Sequence, residues 1–224
     1  LKKGKRLPES PTPHHSWSIS QNLTIAGDSW GEPQNPLVFL LHGGGQTRHA
    51  WKNTGLTLAE HGFYAVALDA RGHGDSDWSS TGVYNQDVMV NDLIEISTQI
   101  GKEIFAIVGA SMGGGTGLVA AGEERLSIKT LVLVDIAPQI EPEGVKRIGD
   151  FMRAKPEGFD SLEEVAELIS NYQPHRTKPK DLSGLAKNLR LSEDGKFKWH
   201  WDPRFMDMRR DLDERVARLN SCAK

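Results

Sequence analysis

Four short stretches of this chain are apolar at every position: residues 37–41, 64–68, 104–108 and 131–134. Runs of this length without polar alternation predict strands covered on both faces. Between them the pattern changes period. A helix is expected after Trp51 up to Glu60, closed by His61-Gly62, and Met89, Leu93, Ile96 and Ile100 recur at helical spacing before Gly101. Residues 112–122 are rich in Gly and Ala, small enough for a helix to pack closely on a sheet. Earlier, Trp17, Ile19, Leu23 and Ile25 tend to alternate with polar residues and predict strand structure near a sheet edge. Residues 1–15, with Pro8, Pro11 and Pro13, read as a mobile lead-in, and residues 27–36 as a turn-rich connection. Strands alternating with helices over this many units predict an α/β fold, a mostly parallel doubly wound sheet that binds ligands beyond the carboxyl ends of its strands.

From Glu141 onward short helices are expected instead. Val145, Ile148 and Met152 form one apolar stripe, and Ser161-Leu162-Glu163-Glu164 is a capping box opening a helix with Val165, Leu168 and Ile169. Glu193-Asp194-Gly195 offers a turn between Leu189-Arg190-Leu191 and Phe197-Lys198-Trp199, and residues 205–219 read as a last helix. The expected division is a core over residues 1–138, a helical lid over 139–205, and a helix over 206–224 leading back to the core.

The chemistry gathers where the apolar runs stop. The first ends in His42-Gly43-Gly44-Gly45, the second in Asp69-Ala70-Arg71-Gly72-His73-Gly74-Asp75-Ser76, the third in Gly109-Ala110-Ser111-Met112-Gly113, and the fourth in Asp135-Ile136-Ala137-Pro138. A serine between glycines at a strand-to-helix bend would stand exposed on a strained turn. Together these segments resemble the α/β-hydrolase superfamily, in particular its lid-bearing serine esterases and cofactor-free haloperoxidase-like members. The resemblance implies Ser111 as nucleophile and the N–H groups of Gly44 and Met112 as donors to the oxyanion of a tetrahedral intermediate.

The chain departs from that family in one respect. The superfamily order is Ser, then Asp or Glu, then a late His, and no histidine follows His200. The base, and with it the last strands of the sheet, is expected beyond Lys224, which would make these residues a piece truncated before the catalytic His. Asp135 could act as the acid, although a structural turn role is preferred. Truncation before the later strands would leave residues 131–134 as an exposed apolar edge. His42 is expected to order its own loop, His73 to be structural, and His175 and His200, with Trp199 and Trp201, to pack or line a pocket.

Composition narrows the function classes. The 224 residues carry a formal charge of −3 with a pI near 6.3, which gives no basic field for nucleic acid, and no apolar run approaches the roughly 20 residues of a membrane span. Cys222 is the single cysteine, and the basic start is not followed by a signal-peptide segment, so a cytoplasmic location is the default. No spacing predicts a metal site or a phosphate loop, and no cofactor is expected. The expected function is a serine hydrolase acting on a small-molecule ester or related acyl substrate. The alternative is a non-catalytic small-molecule-binding protein with the pocket but no base. Dehalogenase or epoxide hydrolase chemistry through an aspartate nucleophile is disfavoured by serine at 111.

Overall fold

A computed structural model describes residues 3–8, 10–136, 141–175, 181–206 and 212–223, and the side chains of all but 142, 145, 212 and 213 among them. Its strands are β1 (Lys5–Arg6), β2 (His15–Ile19), β3 (Leu23–Trp30), β4 (Leu37–Leu41), β5 (Tyr64–Leu68), β6 (Ile104–Ala110), β7 (Ile128–Val134), β8 (Leu189–Leu191) and β9 (Phe197–Trp199). Its helices are α1 (Lys52–Glu60), α2 (Gln86–Ile100), α3 (Met112–Gly122), α4 (Pro142–Arg153), α5 (Leu162–Tyr172) and α6 (Leu212–Cys222). The main sheet has the order β2-β3-β5-β4-β6-β7, in which β4, β5, β6 and β7 are parallel and the β2–β3 hairpin joins antiparallel.

The continuous apolar runs divide by parity. Leu37, Phe39 and Leu41 pack with Tyr64, Val66 and Leu68 against Leu93 and Ile96 of α2. Val38 and Leu40 pack with Ala65 and Ala67 on the other face, toward Leu58 of α1. Successive strand residues point to opposite faces, so a run apolar at every position is what a sheet with helices on both sides requires. Complete burial of one such side chain contributes about 1.5–3 kcal/mol. α6 lies along α3: Leu219 joins Leu118 and Val119 in one apolar cluster, and Cys222 sits against Gly122.

Several sequence expectations need correction. Residues 27–30, expected in a connection, continue β3, because Gly27 to Trp30 pair with Leu68 to Ala65 of β5. The lead-in expected to be mobile contributes β1, which pairs with β8 of a second, three-stranded sheet, and Leu7 is buried there with Phe159 and Leu189. Ser161 caps α5 by accepting the Glu164 amide, but the Glu164 carboxylate reaches back to the Asp160 amide rather than to Ser161. Met152 is buried while Ile148, expected on the same stripe, is 46% exposed; the Val145 side chain lies outside the described ones. The expected last helix is described only from Leu212, and Phe205 belongs to a short 3₁₀ turn before it.

A buried ion network connects the loops at the strand ends. Arg48 has no exposed side-chain surface, and its Nη1 lies 2.6 Å from Asp69 and 2.9 Å from Asp75. Its Nε is 3.0 Å from Asp28, close enough for an ion pair although it makes no aligned hydrogen bond. Nη2 donates to the Pro11 carbonyl, and Asp75 also binds Arg190 of β8 at 2.9 Å. Burial alone would raise the Asp69 pKa, but Arg48, His42 and two backbone amides lower it to about 2. No helix among the described residues is long and apolar enough to cross a membrane.

β7, read as a buried strand that truncation would leave as an exposed apolar edge, closes one end of the described sheet. Val132 is 42% and Val134 39% exposed, so these residues lack a covering layer among the described residues, whereas Ile128 and Leu131 pack against the core. Unpaired apolar edges favour pairing with other chains. Light scattering should therefore show association that grows with concentration and is reduced by Val132→Lys; a monodisperse monomer would contradict this. Arg48→Met leaves buried carboxylates without their counter-charge and should cost about 3–5 kcal/mol of stability in urea unfolding.

Candidate active site

β6 ends at Ala110 and α3 begins at Met112, so Ser111 alone makes the corner, with φ 43° and ψ −107°. A side-chain-bearing residue in such a conformation carries strain of order 1–3 kcal/mol and persists only where its surroundings hold it. Here the Ser111 amide donates to the Val134 carbonyl (3.0 Å), and the Gly115 amide donates to the Ser111 carbonyl (2.9 Å). A Cβ at Gly109 would lie 2.5 Å from the Gly113 carbonyl oxygen, and one at Gly113 would strike the Leu41 carbonyl. The two glycines are thus what let strand and helix meet this closely, and the Ser111 residue is exposed.

The loop after β4 comes alongside. A Cβ at Gly43 would be 3.5 Å from the Ser111 Cβ. The Gly43 amide donates to Gln46 Oε1 (3.0 Å) and the Gly45 amide to His73 Nε2 (3.1 Å), whereas the Gly44 amide has no acceptor among the described residues. Met112 opens α3, and amides of a first helical turn have no acceptor within the helix. Ser111, Gly44 and Met112 therefore belong to one small region. Asp135 is exposed, with φ 51°, directly after Val134; Ala137 and Pro138 of the same motif lie outside the described residues.

Three histidines brace these loops. His42 Nδ1–H donates to the Gly43 carbonyl (2.7 Å) while its Nε2 accepts the Ala70 amide (3.0 Å). His73 accepts the Gly45 amide and donates from Nδ1 to the Arg71 carbonyl (3.1 Å). His200 accepts the Gly74 amide at Nδ1 (2.7 Å) and donates from Nε2 to the Gly45 carbonyl (3.2 Å). Their rings form a row with centroids 5.2 and 5.8 Å apart. His14 and His15 bond Ser29, His61 bonds the Thr57 carbonyl, and His49 lies 3.8 Å from Asp28. His175 is exposed.

Apolar side chains cover the loops. The Phe205 ring would be 3.5 Å from a Cβ at Gly44, and Met152 3.1 Å from one at Gly45. Both belong to a buried cluster with Tyr84, Met89, Met112 and Trp201. Asp202, within the same segment, accepts hydrogen bonds from the Tyr84 hydroxyl and from Arg204. Nothing in the local sequence pattern marks Phe205, Tyr84 and Asp202 as neighbours of the site. Residues 84 and 202 are 118 positions apart, and no local pattern signals that pairing. A cavity of about 40 Å³ lies beneath Met112 and Gly113, bounded by His42, Asp69 and the buried Arg71–Asp92 pair, and Ser111 does not line it. Among the described residues, no group of His, Cys, Asp and Glu side chains is arranged to hold a metal ion.

Burial lowers the His42 pKa, and burial together with the neighbouring His73 and Arg190 holds that of His200 well below the usual 6.5. Both rings are neutral in the native state, whereas the unfolded chain takes up protons below pH 6.5. Their stabilising contribution is therefore complete above 6.5 and is lost as pH falls below it. Urea unfolding from pH 7.5 downward should show stability falling by up to about 1.4 kcal/mol per pH unit for each such histidine. A flat profile between pH 7 and 5 would contradict buried neutral rings.

Comparison with known proteins agrees with this architecture. A family model described as the alpha/beta hydrolase fold matches residues 36–172. The esterase Rv0045c of Mycobacterium tuberculosis is 29% identical over 184 residues, covering 80% of this chain and 60% of that protein. The 3-hydroxybutyrate-oligomer hydrolase of Cupriavidus necator is 25% identical over 202 residues, covering 86% of this chain and 68% of the relative. The crystal structure of an alpha/beta hydrolase from Novosphingobium aromaticivorans superposes with a TM-score of 0.75 at 23% identity, covering 85% of this chain and 68% of the other. The chain thus spans about three fifths to two thirds of the length of these relatives. With the sharp turn at Ser111, the glycine loop and the mostly parallel sheet in hand, the family match makes the conclusion plain: this chain belongs to the α/β-hydrolase fold family.

Proposed function

We propose that this chain carries the nucleophile and oxyanion donors of a serine hydrolase acting on a small-molecule ester or related acyl substrate. The observation that carries the reading is the exposed Ser111, held at φ 43° beside a loop whose middle glycine amide is uncommitted. Two relatives, an esterase and an oligomer hydrolase, support the same reaction class.

In this reading Ser111 Oγ attacks the substrate carbonyl carbon and gives up its proton to a base. The Gly44 and Met112 N–H groups hold the negative oxygen that develops. Collapse of the tetrahedral intermediate expels the alcohol, which takes the proton from the base, and leaves an acyl-serine. Water then attacks the acyl-serine, releasing the acid and regenerating the hydroxyl. The base is proposed to be a histidine outside these 224 residues, since seven of the eight histidines are engaged elsewhere and His175 is exposed on the segment after α5. Asp135 is available as the carboxylate that orients such a histidine. Residues 139–205 would act as a lid, as Met152 and Trp201 beside the glycine loop support.

The engaged histidines also favour a second reading, a binding protein with no base. The two separate as follows. The 224-residue chain alone should hydrolyse p-nitrophenyl esters negligibly, and robust turnover would show that another residue serves as base. A chain extended beyond Lys224 to include a further histidine should be labelled by a fluorophosphonate probe, and Ser111→Ala should abolish the labelling. Labelling that persists in that variant would remove Ser111 from the role, and an extended chain that is neither labelled nor active would favour the binding protein.

A further inference from the structure

Glycine at 43, 44 and 45 leaves three consecutive peptide planes with wide rotational freedom, yet an oxyanion donor works only if its N–H is already aimed before charge develops. Each plane is held by a different imidazole. The plane carrying the Gly44 N–H also carries the Gly43 carbonyl, which accepts from His42 Nδ1 (2.7 Å) and from the Gln46 amide (3.1 Å). In a trans peptide this points the Gly44 N–H away from His42. The next plane is held through the Gly45 N–H by His73, and the third through the Gly45 carbonyl by His200. Gly45 itself has φ +75°, so nothing in its own side chain fixes these planes.

Unlike the other two, His200 does not come from a loop at the strand ends. It follows β9, and its backbone amide donates to the Asn188 carbonyl. Its ring spans two loops, taking the Gly74 amide with one nitrogen and giving a proton to the Gly45 carbonyl with the other. The adjoining chain is fixed as well, because the Asp202 amide donates to the Gly72 carbonyl (2.8 Å) and the Phe205 ring stands over Gly44. We propose that His200 is a positioning residue: its Nε2–H bond to the Gly45 carbonyl, from outside the main sheet, sets the glycine loop so that the Gly44 amide faces Ser111. This rests on the reading of Gly44 as an oxyanion donor.

The two ring nitrogens can be separated by substitution. In His200→Asn the short side chain can mimic Nδ1 and keep the Gly74 bond, but it stops short of Gly45. In His200→Gln the longer side chain can place its amide nitrogen where Nε2 stood and keep the Gly45 bond. The probe is butylboronic acid, whose boron becomes tetrahedral on a serine oxygen, read on the amide protons of Gly44 and Met112 in ¹⁵N-labelled chain. In the native chain both amides should move downfield on saturation. With His200→Asn the Met112 shift should remain while the Gly44 shift is lost and boronate affinity falls about tenfold, one hydrogen bond's worth. With His200→Gln the Gly44 shift should remain, with affinity within about threefold of native. Equal Gly44 responses in the two variants would overturn the proposal even if both were less stable to urea, since that is what a purely structural histidine produces. A native chain whose Gly44 amide ignores a boronate bound at Ser111 would instead remove the oxyanion reading, and the positioning role with it.

Discussion

Arg48 is the residue on which the placement of the strand-end loops depends. A guanidinium with no exposed surface is tolerated only where carboxylates surround it, and here Asp28, Asp69 and Asp75 come from β3, from the end of β5 and from the loop beyond. Its charge is held by those three groups against the opposing effect of burial. Because Asp69 also accepts the Arg48 and Asp75 amides, the loop after β4 and the loop after β5 cannot move independently. The last residue of the glycine loop, Gly45, stands three residues before Arg48, so the site inherits its position from this charge.

The arrangement separates two tasks. Charge sets where the loops lie, and neutral imidazoles set how their peptide planes turn. Histidine suits the second task because each ring offers one donor and one acceptor when neutral, and burial favours the neutral form at His42 and His200. Small residues at 109 and 113 then let α3 rest on the sheet so closely that the nucleophile candidate is forced outward.

Much of this was legible in the sequence, and the failures have physical causes. The apolar runs identified β4 to β6 because a doubly covered strand must be apolar at every position. The same rule marks β7 as a covered strand, and its Val132 to Val134 stand open among the described residues, as expected of that strand without later neighbours. Gly27-Asp28-Ser29 looked like a connection because its polar residues serve the Arg48 network and His14 and His15 rather than solvent. The strand-to-helix bend at Ser111 and the glycine loop were read from local spacing, since both are made within a few residues. The bonds of His200 to Gly74 and Gly45 were not, because these partners lie 126 and 155 positions away. No periodicity encodes a bond of that separation.

The second sheet carries a consequence for the order in which the molecule can be made. β1 pairs with β8, and Arg190 of β8 binds Asp75 and the Gly74 carbonyl, 115 and 116 residues earlier. At ribosomal speeds of about 5–20 residues per second, on the order of ten seconds separate the emergence of that aspartate from that of its arginine. During the interval the first strand has no neighbour, and the acidic loop after β5 has only part of its positive complement. The loops at the strand ends must therefore wait, partly neutralised, for a residue made 115 positions later.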